Sequence, residues 1–152
     1  YGPNEFHKKN MKSIILKIYE DIQNKKKIKL FKSHNPNFND GEQLRDFIYV
    51  KDVVKVICWL VENPCVNGIF NLGSGKARTF KDLAYSVFKC CNHRKEVKYI
   101  NTPSSIKDKY QYYTKAHMSK LLDAGYNNSF TELEDGVKDY VQNFLLKKDK
   151  YN

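Results

Sequence analysis

Gly68-Ile69-Phe70-Asn71-Leu72-Gly73-Ser74-Gly75-Lys76-Ala77-Arg78-Thr79-Phe80-Lys81-Asp82 changes its periodicity in mid-course. Ile69 to Leu72 is a short apolar run of the kind that forms a buried strand, and Gly73-Ser74-Gly75 closes it with a tight turn in which glycine tolerates positive φ. Thr79 and Asp82 then have the spacing of a capping box. The helix they open carries Phe80, Leu83, Ala84, Val87 and Phe88 at helical intervals. A strand, a turn and a capped helix in immediate succession are the building unit of α/β architecture.

The same alternation continues on both sides. Upstream, Met11, Ile14, Ile15, Ile18, Tyr19 and Ile22 recur at helical spacing, and this helix is expected to dissolve in Asn24-Lys25-Lys26-Lys27. Ile28 to Phe31 reads as a short strand, Ser33 to Gly41 as an Asn-rich loop, and Phe47 to Val50 as extended. Asp52 is a first-turn anion for a helix bearing Val53, Val56, Ile57, Leu60 and Val61 that stops by Pro64. Downstream, Glu96 to Ile100 is a further strand. Thr114 is expected to cap a helix with Met118, Leu121 and Leu122 that Gly125 terminates, and Thr131-Glu132-Leu133-Glu134 a last helix presenting Val137, Tyr140, Val141, Phe144 and Leu145. Helix outweighs strand, and the fold class is α/β.

At 152 residues, 41% hydrophobic and 14% aromatic, the chain is long enough for one core. No apolar run approaches the ~18 residues of a membrane span. Cys58, Cys65, Cys90 and Cys91 lack both C-x-x-C spacing and a neighbouring histidine pattern, so they read as reduced structural thiols and no metal site is expected. The net charge of +10 raises nucleic acid as a partner. Only Arg45, Arg78 and Arg94 among the 27 basic residues are arginine, however, and the lysines are spread along the chain. That pattern fits solvated helix faces in a Lys- and Asn-biased sequence better than a recognition surface, and no nucleic acid is expected. A modest positive field would equally attract an anionic nucleotide-sugar diphosphate.

Local motifs alone leave the function open. Gly73-Ser74-Gly75-Lys76 lacks the glycine at 70 and the hydroxyl at 77 that a P-loop requires, and Arg78 replaces the third glycine of a dinucleotide fingerprint. His7, His34, His93 and His117 are far apart, and no nucleophile–base set emerges from spacing.

A resemblance carries the reading further. Tyr1-Gly2-Pro3-Asn4-Glu5-Phe6-His7-Lys8, Arg45-Asp46-Phe47-Ile48-Tyr49-Val50-Lys51-Asp52-Val53, Gly68-Ile69-Phe70-Asn71-Leu72-Gly73-Ser74-Gly75 and Tyr110-Gln111-Tyr112-Tyr113-Thr114 together resemble the ADP-glycero-manno-heptose 6-epimerases. These are a branch of the extended short-chain dehydrogenase/reductases, within the NAD-dependent epimerase/dehydratase family. The R-D-F and N-L-G elements are shared by sugar-nucleotide epimerases and dehydratases in general. His7-Lys8 and Y-Q-x-[FY]-T select the heptose branch.

The resemblance implies a C-terminal half: a small mixed α/β substrate-binding domain, mainly 1–46 and 76–152, plus the last helix and strand of a Rossmann domain, mainly 47–75. The NADP-binding part, with its glycine-rich turn, catalytic serine or threonine and Tyr-x-x-x-Lys, would lie upstream of Tyr1, and these 152 residues alone would be inactive. The implied cofactor is NADP, with NAD the alternative, and the implied substrate is ADP-heptose. The implied setting is a cytoplasmic homo-oligomer that supplies lipopolysaccharide synthesis. Lys8 would be the second acid/base and also border the cofactor; Arg45 would hold the diphosphate, and Tyr110 would contact substrate. Asn10, Lys17, Phe31, Lys32, Ser33 and His34 fall where the family lines its pocket. The chain departs from the pattern at Asn10 (usually Ser), Lys17 (usually His) and Lys32-Ser33-His34 (usually Glu-Gly-Ser). The alternatives are another epimerase or dehydratase of the family, or a stand-alone module for an anionic ligand, which a basic stripe on one face would favour.

Overall fold

The computed structural model describes residues 1–147. Two small ladders organise it. β1 (Ile28–Phe31) runs parallel to β4 (Val97–Ile100), with Ile28 opposite Val97 and Phe31 opposite Ile100. β2 (Leu44–Asp46) runs antiparallel to β3 (Ala77–Thr79), with Arg45 opposite Arg78. Around them lie α1 (Ile14–Gln23), α2 (Val50–Glu62), α3 (Phe80–Cys90), α4 (Ser104–Lys107), α5 (Ser119–Asp123) and α6 (Leu133–Tyr140). A 3-10 turn, Phe6–Met11, precedes α1, and a π turn, Val141–Leu145, continues α6.

Helical periodicity explains the main core. Ile15, Leu16 and Ile18 of α1, Leu83, Ala84, Val87 and Phe88 of α3, and Val137 and Tyr140 of α6 converge on Ile28 and Leu30 of β1. Each large side chain buried there contributes roughly 1.5–3 kcal/mol. A second cluster joins Val56 of α2 to Met118, Leu121 and Tyr126, with Trp59 edge-on to Tyr126 at 5.4 Å.

Local signals place several elements as expected. α1 ends at Asn24, β1 and β4 occupy their expected segments, and Thr79 and Asp82 form the reciprocal capping box of α3. Elsewhere tertiary contacts prevail over local ones. Ile69 to Leu72 joins no ladder among the described residues, and Ile69 is 89% exposed. A strand needs a partner for its backbone groups, and the described residues supply none here. Met11 closes the 3-10 turn and is exposed instead of joining the α1 face. Phe47 to Tyr49 lies outside the ladder, which Leu44 to Asp46 forms instead, and Val50 already starts α2. Thr114 caps nothing: its amide bonds the Leu44 carbonyl, and α5 begins only at Ser119.

The Thr131 capping box does not form either. The Thr131 amide and hydroxyl donate to the buried Asp52 carboxylate at 2.7 and 2.9 Å, and Glu132 occupies the N-cap of α6. A buried carboxylate gains more from two donors than a helix end gains from one. All four cysteines are free. Cys90 and Cys91 pack against the core, but Cys58 and Cys65 are exposed, so the structural reading fails for that pair. Burial pushes the Cys91 thiol up to about 11. No described helix is long and apolar enough to cross a membrane.

Candidate active site

Arg45 leaves the middle of β2 and lies between two rings, 5.9 Å from the centroid of Phe80 and 5.4 Å from that of Tyr110. Its Nη1 donates to the Leu44 carbonyl at 2.9 Å, and no carboxylate among the described residues lies within ion-pair distance. Two aromatic faces hold a planar guanidinium, at about 0.5–1 kcal/mol each, without consuming its donors. The Tyr110 ring stands edge-on to Phe31 at 5.9 Å and to Tyr112 at 5.3 Å. Burial raises the pKa of its hydroxyl, while nearby Arg45 pulls the other way. Phe31, Arg45 and Tyr110 therefore form one group.

The segment after β1 is tied to that group. Lys32 donates its amide to the Ile100 carbonyl at 2.8 Å and leaves its side chain in solvent. Ser33 donates its amide to Asp40 and its hydroxyl to the Asn35 carbonyl, both at 2.8 Å. The exposed His34 donates its amide to the Tyr112 hydroxyl at 2.9 Å, and its Nε2 accepts from the Thr102 amide at 3.4 Å. Beneath them Gln43, only 1% exposed, donates Nε2 to the carbonyls of Phe31 and Lys32. The loop borders a groove of about 640 Å³ lined by Ser33, His34, Asn35, Phe38 and Asp40.

Lys8 lies in the 3-10 turn. Beside it Glu5 is 3% exposed, and its carboxylate accepts the Ser13 amide and hydroxyl, both at 2.6 Å. Ser13 in turn caps α1 through the Leu16 amide. The Lys8 amide bonds the Glu5 carbonyl, so a buried acid locks the turn to the helix, and Lys9 reverses the backbone at φ 47°. The Lys8 ammonium is exposed and has no ion-pair partner among the described residues. Lys17 donates Nζ to the Asn10 carbonyl at 2.8 Å, which brings those two exposed residues together. No hydrogen bond or ion pair among the described residues joins Lys8, Asn10 and Lys17 to the Arg45 group.

Sequence reasoning passed over Tyr112, Phe80, Gln43 and Asp46. Tyr112 lies within a motif already singled out, but its link to His34 spans the fold. Asp46 explains the glycine turn: its carboxylate accepts from the Ser74 amide at 2.7 Å, the Ser74 hydroxyl at 2.5 Å, and the Gly75 and Ala116 amides at 3.0 Å. A Cβ at Gly73 would lie 2.4 Å from that carboxylate, and Gly75 has φ +73°. The turn's amides are thus already bonded to an internal anion. This site does not fit a dinucleotide phosphate, and among the described residues no cluster of metal-ligating side chains forms.

Residues 1–73 match the NAD dependent epimerase/dehydratase family. The chain is 50% identical over 151 residues to the ADP-L-glycero-D-manno-heptose-6-epimerase of Nitratidesulfovibrio vulgaris, covering 99% of this chain and 47% of that protein. Against the enzyme of the same name from Fusobacterium nucleatum, identity is 44% over 157 residues, with the same coverage of 99% and 47%. The Helicobacter pylori ADP-L-glycero-D-manno-heptose-6-epimerase crystal structure is similar at a TM-score of 0.73 and 30% identity, over 94% of this chain and 41% of that one. The UDP-N-acetylglucosamine 4-epimerase of Methanobrevibacter ruminantium shares the fold at a TM-score of 0.74 and 24% identity, over 93% and 42%. The chain spans about half the length of the curated relatives it matches.

Proposed function

We propose that this chain, whose residues 1–73 match the NAD dependent epimerase/dehydratase family, forms the substrate-facing C-terminal part of an ADP-glycero-manno-heptose 6-epimerase, the enzyme named for relatives 44–50% identical to it. One observation carries the assignment of the site: Arg45 is held by two rings, with no carboxylate partner among the described residues. A guanidinium so placed is pre-oriented for two oxygens of a diphosphate. Tyr110, Phe31 and the Lys32 to His34 segment border the same ligand, and Asn10 and Lys17 border it from the α1 side. Lys8 serves as the acid/base that donates or removes a proton at the substrate oxygen, on a turn that Glu5 fixes.

A nicotinamide group, NADP in preference to NAD, belongs to the whole enzyme. The described residues do not build its phosphate cradle, since Asp46 already takes the amides of the glycine turn. In this reading 1–46 and 76–152 belong mainly to the substrate domain and 47–75 to the last Rossmann elements. The complete protein works as a cytoplasmic homo-oligomer in lipopolysaccharide inner-core synthesis. The test is nuclear magnetic resonance of ADP-heptose incubated with the full-length protein. Inversion at C6 supports the proposal, and its absence with folded, cofactor-loaded protein refutes it. The isolated 152 residues are expected to show no turnover, and measurable turnover would count against the division of labour.

A further inference from the structure

The scatter of lysines along the sequence ends in one local concentration. Lys25, Lys26 and Lys27, in the turn after α1, meet Lys95 and Lys98, before and within β4, around a groove of about 760 Å³. Ile22, Val97 and the ring of His93 complete its wall. Glu96 also borders it, but Arg94 already holds that carboxylate at 3.0 Å. None of the five lysines has an ion-pair partner among the described residues.

Helix polarity accounts for part of this, since cations favour a helix C-terminus, where Lys25 to Lys27 stand. It does not account for Lys95 and Lys98, which arrive from another part of the chain. The strand register sharpens the point. Lys98 is directly opposite Lys29 in the parallel ladder, and like charges so placed are destabilising. Lys25 takes the left-handed region at φ 52°, which non-glycine residues seldom adopt.

We propose that this groove binds a phosphate chain, an anion of three or more linked phosphates. Lys95 Nζ stands 5.2 Å over the Tyr85 ring, a contact that leaves its donors unused; lysines act as point charges and require no fixed geometry, unlike the planar fork of arginine. They therefore suit a flexible run of charges better than a single carboxylate or a rigid ring. The groove is built from the starts of β1 and β4, whereas Phe31, Lys32 and His34 follow the end of β1. It thus stands apart from the Arg45 group, and its failure would leave the epimerase reading untouched.

The test is titration of the full chain with inorganic tripolyphosphate, followed calorimetrically and by the His93 ring resonances. Saturable binding that weakens with salt and shifts His93 before His7 or His117 is expected. The Lys25→Ser/Lys26→Ser/Lys27→Ser variant should lose about tenfold in affinity or more, as should Lys95→Ser/Lys98→Ser. The equal-charge control Lys89→Ser/Lys107→Ser/Lys138→Ser should stay within about twofold, with folding of every variant checked by circular dichroism. ATP binding as tightly as tripolyphosphate points to the chain of phosphates alone, and tighter binding of ATP points to a nucleotide; either upholds the site. Absence of saturable binding, an equal loss in the control, or a preference for duplex DNA over tripolyphosphate would overturn it.

Discussion

Asp46→Asn removes a charge and keeps the shape of the side chain that anchors the glycine turn. The native carboxylate serves the Ser74 amide and hydroxyl through Oδ1 and the Gly75 and Ala116 amides through Oδ2. Asparagine retains one carbonyl oxygen for the Ser74 pair but presents an NH2 group to the other two amides, donor facing donor. An orphaned half-buried amide costs about 1–3 kcal/mol, and partial access to water lowers that, so the variant should lose about 2–4 kcal/mol. With a urea dependence of about 2 kcal/mol per molar, the midpoint should fall by about 1–2 M. Trp59, in the cluster that Ala116 packs against, reports the transition by fluorescence. Hydrogen exchange should show the Gly75 and Ala116 amides losing protection before those of α3. A variant whose midpoint matches the parent, with both amides still protected, would refute the reasoning.

Other outcomes follow from the same contacts. In the full-length enzyme Lys8→Met should lower the epimerisation rate by about 10²–10⁴-fold with little change in substrate affinity. Arg45→Met should instead weaken binding, by roughly 2–5 kcal/mol; steady-state kinetics separates the two, and a Lys8→Met variant altered only in KM would refute the acid/base role. Hydrogen bonding from Arg78 holds the Glu134 carboxyl below its ordinary 4.5. Its contribution to stability is thus complete above that value and lost as pH falls through the lower folded one, so Arg78→Met should unfold with less acid dependence in that window. Val54, Ile57, Val61 and Ile69 expose an apolar surface, and the isolated chain should bind a hydrophobic dye that Ile57→Lys/Val61→Lys reduces.

The sequence was informative wherever a residue's partner lay within one turn. Thr79 and the periodic faces of α1, α3 and α6 behave as their neighbours dictate. Thr131 has the local pattern of a capping residue, yet a carboxylate 79 positions away takes its donors. Ile69 to Leu72 has strand composition without a strand to pair with among the described residues. Arg45 and Tyr110 were visible as motif members, but the ring of Phe80 beneath the guanidinium was not, since Phe80 reads equally well as core. The lysine groove was hidden for a related reason. Charge spread evenly along a chain says nothing about where a fold gathers it.

The ladder of β1 and β4 sets a distance between two electrostatic environments. The three steps of about 3.3 Å from Ile28 to Phe31 span roughly 10 Å, close to the ~8–10 Å over which salt screens charge in the cell. The lysines at its start are therefore not fully screened from the segment after its end, where Lys32 to His34 begin. They add a weak pull on any anion approaching Arg45, and neutralising them would relax it. No moving part joins the two regions, so the influence of one on the other would run through potential alone and vary with ionic strength.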